Sequence, residues 1–168
     1  MVRCIKKLFG LIRPERITKE QIEQLSAAKL CRKFIDGELA SDIECEVFGD
    51  IMCVVELNAE VVNGGFNQYY YNSGGERAER ARNTFTKLGV TQIADVVKRA
   101  DEHYAVCRDE LHSVWDGTIK GFSDSYKKFF FNAFDSEYYA LMKNEKQLYT
   151  LIGTYIKQHP QEFLSEAT

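Results

Sequence analysis

An all-α fold, a single compact domain of about six to eight helices behind a short basic leader, is what this 168-residue sequence predicts, on three observations. Apolar residues recur at helical spacing through most of the chain. Only two prolines interrupt it, and Glu, Lys, Leu and Ala are abundant. At 45% hydrophobic, the chain carries enough apolar surface for one domain's core. The expected division is a leader over 1–16 and a helical domain over 17–168.

The leader reads Met-Val-Arg-Cys-Ile-Lys-Lys-Leu-Phe-Gly-Leu-Ile-Arg-Pro-Glu-Arg. Its longest apolar run is five residues, Leu8 to Ile12 with Gly10 counted in, below the roughly 7–15 of a signal peptide. Secretion is disfavoured, and the sequence reads as cytoplasmic. As a helix, Ile5, Leu8, Phe9 and Ile12 share a face beside Arg3, Lys6, Lys7 and Arg13. Membrane contact by residues 1–13, with acylation of Cys4, is one reading. The favoured one is a solvated terminus or a helix docked on its own acidic body. No apolar run approaches the roughly 18 residues of a membrane span.

Thr18-Lys19-Glu20-Gln21 is a capping box opening a helix with Ile22, Leu25, Leu30 and Phe34 inward and Gly37 as its stop. The next helix begins at Asp42 and runs to Val62, where Asn63-Gly64 supplies a left-handed turn. At 100° per residue, Ile43, Val47, Phe48, Ile51, Val54, Val55, Ala59, Val61 and Val62 fill one arc. Asp42, Glu46, Asp50, Glu56 and Glu60 gather opposite, with Glu44 the exception and Cys53 and Leu57 interrupting. Phe66 to Asn72 forms a short helix and Gly74-Gly75 a turn. Residues 76–88 form a helix ended by Gly89. Thr91 caps a long one to about Trp115, with Ile93, Val96, Val97, Ala100, Tyr104, Leu111 and Val114 buried. Ser123 or Asp124 opens an aromatic segment from Tyr126 to Phe134, and Asp135 to Tyr139 starts another helix. The last helix spans about Glu145 to Gln158, stopped by Pro160.

The chemistry points away from catalysis. His103, Cys107 and Glu110 share a helix face, yet no fourth ligand accompanies them, so no metal or other cofactor is expected. No serine sits in a nucleophile elbow, and Gly64-Gly65 lacks the strand and Lys of a phosphate loop. Five cysteines (Cys4, Cys31, Cys45, Cys53, Cys107), odd in number and without a CxxC, fit free thiols. Tyr69-Tyr70-Tyr71 and Phe129-Phe130-Phe131 fit a core better than base stacking, because consecutive helical residues point about 100° apart. Their acidic surroundings disfavour direct nucleic-acid binding.

Charge is the stronger signal. The net charge is -3, but residues 1–33 hold nine Lys/Arg against three Glu, which leaves 13 basic against 22 acidic residues in 34–168. From Phe34 to Glu76, 43 residues carry nine Asp/Glu and no Lys or Arg. Asp42/Glu46, Glu46/Asp50 and Glu56/Glu60 place like charges four apart, at a cost of about 1 kcal/mol together. A face meant only for solubility mixes signs. The sequence therefore predicts partner binding through Asp42, Glu46, Asp50, Glu56 and Glu60, carboxylates about 6 Å apart along a helix. They would meet the Lys and Arg that a DNA-binding protein turns toward phosphates.

Glu60-Val-Val-Asn-Gly-Gly-Phe-Asn-Gln-Tyr-Tyr-Tyr-Asn-Ser-Gly-Gly resembles a motif of a bacterial domain family of mostly unknown function, the one that includes the C-terminal domain of the DNA-mimic proteins. Glu60, Asn63, Gly64, Gly65, Phe66, Gln68, Tyr69, Tyr70 and Asn72 carry the match. Phe134-Asp-Ser-Glu-Tyr-Tyr139 and Tyr155-Ile-Lys-Gln-His-Pro-Gln-Glu-Phe163 extend it, over roughly 38–164. The resemblance implies an all-α fold, and one characterised relative that is an acidic dimer occupying a transcription factor's DNA-binding surface. The motif itself reads as structural, with Asn-Gly-Gly shaping a turn that Phe66, Tyr69 and Tyr70 anchor. The expectation is a non-enzymatic binder of a basic protein such as a transcription regulator, with homodimerisation left open. The alternatives are an immunity-type inhibitor of a toxin and a small-molecule enzyme with a pocket at Asn63, Gln68 and Asn72.

Overall fold

The structure, a computed structural model, describes residues 14–41, 46–128 and 131–165. The leader over 1–13, Asp42, Cys45 and the Phe129-Phe130 pair lie outside the described residues. The protein is all-α, with eight α-helices and one two-stranded sheet among the described residues. The described residues divide into two units, those up to Gly49 with those from Asn144 on, and those from Asp50 to Lys143.

In the first unit, β1 (Glu15–Arg16) pairs in parallel with β2 (Leu39–Ala40), Glu15 opposite Leu39. Two-residue strands carry no readable periodicity, so sequence reasoning misses this pair. The capping box at Thr18 opens α1 (Lys19–Gln24), with Gln21 N–H donating to Thr18 Oγ1 at 3.2 Å and Thr18 N–H to Gln21 Oε1 at 3.0 Å. The single helix expected as far as Gly37 is two. Leu25 and Ser26 are extended, and α2 (Ala27–Ile35) starts after them. Leu30, Cys31 and Phe34 are buried on α2, which packs against α8 (Glu145–Gln158), where Leu148, Ile152 and Ile156 are buried. A Cβ at Gly153 would overlap the Ala27 carbonyl, so glycine sets how closely α8 approaches α2. Asn144 caps α8, accepting from Gln147 N–H at 3.0 Å, and Pro160 opens a 3-10 turn after it.

The longest helix, α3 (Glu46–Ser73), carries non-helical backbone at Gly64 (φ -156°, ψ 27°) and Gly65 (φ 71°, ψ -179°). The break falls where Asn-Gly-Gly predicts it, but Gly65, not Gly64, is the left-handed residue. From Asp50 onward α3 belongs to the second unit, with α4 (Ala78–Lys87), α5 (Thr91–Val114), α6 (Ile119–Lys128) and α7 (Asn132–Leu141). α6 starts earlier than Ser123 because Thr118 caps it, accepting from Gly121 N–H at 3.0 Å. Phe66, Tyr69, Tyr70, Phe85, Phe131 and Tyr138 are fully buried, and Tyr70 stacks on Tyr104 at 4.1 Å between ring centroids. Tyr69, Tyr70 and Phe131 of the two aromatic runs thus belong to the core of this unit, while Tyr71 is half-buried.

Candidate partner-binding site

The inward face of α3 differs from the predicted arc. Asp50, Cys53, Leu57 and Asn58 are buried with Ile51, Val54 and Val61, while Phe48, Ala59 and Val62 are exposed. The true centre is rotated, so the acidic residues border the buried face instead of opposing it. A charge-free count of apolar residues misplaces this centre because Phe48, Ala59 and Val62 count as core.

That rotation gives each carboxylate a distinct environment. Glu46 is exposed, in the first unit. Asp50 is 9% exposed and lies between two cations of α4, Arg80 Nε at 2.6 Å and Lys87 Nζ at 2.7 Å. Burial alone pushes its carboxyl up, but the hydrogen bonds and charges of Lys87 and Arg80 outweigh this and hold it below the usual value. Glu56 pairs with Arg77 at 2.7 Å, both side chains well exposed at 41% and 60%. Such a surface pair contributes at most about 1 kcal/mol and is readily exchanged.

Glu60 is different. Its Oε2 accepts from Gln68 Nε2 at 2.8 Å and from Asn72 Nδ2 at 2.6 Å. Among the described residues it has no ion pair, and two neutral amides fix its position.

Around Glu60 the kink is clamped from two other helices. Breaking a helix strands backbone donors and acceptors that need new partners. Asp135 of α7 accepts from Phe66 N–H at 2.8 Å, Tyr139 of α7 donates to Val61 O at 2.6 Å, and Tyr126 of α6 donates to Gly64 O. Burial pushes the Asp135 carboxyl up, and the Phe66 N–H recovers only part of that. Asn67 Nδ2 donates to Ser125 Oγ at 2.9 Å, and Tyr138 donates to Asn58 Oδ1 at 3.0 Å.

The motif residues therefore divide by role. Gly64 and Gly65 make the break, and Phe66, Tyr69 and Tyr70 anchor it in the core. Gln68 and Asn72 hold Glu60, and Asn63 is exposed. Sequence reasoning did not assign Asp135, Tyr126, Tyr139, Arg80 or Lys87. Asp135 and Tyr139 had a signal, since both lie in the Phe134–Tyr139 stretch. Arg80 and Lys87, seven apart, share a face of α4.

The model of a family described as DMP19-like protein matches residues 45–159, well over half of the chain. The chain belongs to this family. It is a DNA-mimic-type family, and the matched segment of this DMP19-like chain covers the kink, its clamp and α3 to α8. No curated protein and no solved structure matches the chain.

His103 packs against Phe131 and Phe134, and the Cys107 thiol donates to Tyr104 O. No group of three or more His, Cys, Asp or Glu side chains among the described residues is placed to hold a metal ion. No helix of the described residues is long and apolar enough to cross a membrane.

Proposed function

We propose that this protein is a non-enzymatic, cytoplasmic binding module that occupies the cationic, DNA-facing surface of a partner such as a transcription regulator. Glu56 and Glu60, both of the second unit, act as phosphate substitutes. Asp42 of the same run lies outside the described residues. Asp50, held by Arg80 and Lys87, serves the packing of its own unit instead.

Membership of a DNA-mimic-type family supports this reading. The observation that carries it is the Glu60 carboxylate, held by two neutral amides and in no ion pair among the described residues. A charge already held in place loses little side-chain freedom when a cation docks. Gln68 and Asn72, two of the three amides of the pocket alternative, are engaged with Glu60, which favours binding over a pocket for small-molecule chemistry.

The test is capture from a bacterial lysate at low salt on immobilised protein, followed by competition with duplex DNA. A specific partner is expected to be released by duplex DNA and by a salt step. Bound protein that resists both would overturn the proposal.

A further inference from the structure

Beside Glu60 runs a strip of half-buried aromatic rings in the same unit. A Cβ on Gly64 would lie 2.9 Å from both Gln68 Cδ and Tyr126 Oη, so the amide that holds Glu60 and the Tyr126 hydroxyl both lie against that glycine. The Tyr126 ring packs on Phe122 at 5.1 Å, Phe122 on Tyr71 at 4.7 Å, and Tyr71 edge-on against Trp115 at 5.1 Å. All four rings keep part of their surface in solvent. Ile119, one turn before Phe122, is 88% exposed. The nearby cations of α6, Lys120 and Lys127, are both held by Asp124, at 2.6 and 2.9 Å.

We propose that Glu60 and the adjoining rings of Tyr126, Phe122, Tyr71 and Trp115 form a receptor for arginine side chains of the partner, selective over lysine. This rests on the binding reading above and specifies the chemistry the site takes. A guanidinium is planar and weakly hydrated, stacks on aromatic faces and donates a fork of hydrogen bonds to a carboxylate. A lysine ammonium is a compact, strongly hydrated charge that offers only the Coulomb part. Both amides land on Oε2, and Oε1 has no hydrogen bond among the described residues. Charge complementarity is local as well as global, because residues 34–76 contain no Lys or Arg.

Trp115 is the sole tryptophan, so its fluorescence reports on the strip directly. The full chain is titrated with hexa-arginine and with hexa-lysine peptides at fixed ionic strength. The arginine peptide is expected to change Trp115 emission saturably and to bind about tenfold more tightly than the lysine peptide. Glu60→Gln is expected to erase that difference, and Tyr71→Leu, with unchanged circular dichroism, to reduce it. Asp109→Asn, a 95%-exposed carboxylate of α5, leaves it intact. Equal affinity for the two peptides, or equal losses in Glu60→Gln and Asp109→Asn, would overturn the arginine receptor. That result together with a partner still displaced by duplex DNA removes only the selectivity. A partner that duplex DNA does not displace removes the binding reading, whatever the peptides do.

Discussion

Asp135 accepts the Phe66 N–H at 2.8 Å across the kink of α3, and a Cβ on the intervening Gly65 would come within 2.5 Å of the same carboxylate. The glycine and the aspartate thus define one another. Gly65 supplies a backbone conformation closed to side chains, and its missing Cβ lets Asp135 reach the amide the break exposes. Tyr126 and Tyr139 take the freed carbonyls of Gly64 and Val61. The bend that results carries Gln68 and Asn72 back to Glu60, which links the motif to the charge presented outside.

Gly65→Ala is expected to destabilise the protein by roughly 2–4 kcal/mol, combining backbone strain with displacement of Asp135. Gly74→Ala, at φ 62° with nothing within 4 Å of the new methyl, is expected to cost only about 1 kcal/mol. Urea denaturation midpoints of the two variants check the order.

Two buried tyrosines are expected to respond oppositely to loss of the hydroxyl. Tyr138 donates to the buried Asn58 Oδ1, so Tyr138→Phe leaves an unsatisfied acceptor and costs about 1–2 kcal/mol. The Tyr70 hydroxyl is buried without a partner among the described residues, so Tyr70→Phe is expected to be neutral or mildly stabilising. Thermal unfolding of the pair decides this.

Asp50 and Asp135 are expected to give stability opposite dependences on pH. The folded Asp50 carboxyl titrates below its ordinary 3.8, so its contribution is full above that value and is lost as pH falls through the folded value. Asp50→Asn is expected to cost roughly 1–3 kcal/mol at pH 7 and progressively less as pH falls through the folded value. Asp135 titrates above 3.8 when folded, so its contribution is full below 3.8 and is lost as pH rises through the folded value. Asp135→Asn keeps an acceptor for Phe66 and is expected to hold or raise stability at pH 7. Denaturation of both variants across this range tests the signs.

Burial, with Glu145 adding to it, pushes the Cys31 thiol up to about 12. Its thiolate is the reactive form, so Cys31 is expected to resist alkylation at pH 8 until urea unfolds the chain. Peptide mass mapping with and without urea reads this directly.

The helical class, the break at Asn-Gly-Gly, the capping box at Thr18 and the limits of α8 were legible because each rests on local spacing or on a residue with one strong backbone preference. The break between α1 and α2 was not, since Leu25-Ser26 interrupts a periodicity that resumes in phase. Thr91, expected as the cap of α5, is instead its first helical residue, after Val90 and with no side-chain cap. The inward face of α3 was displaced because helical counting cannot show that Asp50 has Arg80 and Lys87 to accompany it inward. Glu60 was picked out by its charge alone. That Gln68 and Asn72 hold it depends on the bend at Gly65, a relation between distant turns that spacing along one straight helix does not contain.

The most direct measurement of the central claim is the affinity of the captured partner across a salt series, for the natural protein and for Glu60→Lys with unchanged circular dichroism. The expected result is binding that weakens steeply as salt rises and falls at least about tenfold on charge reversal. Affinity unchanged from low to high salt, or unaffected by Glu60→Lys, would contradict a carboxylate-led interface.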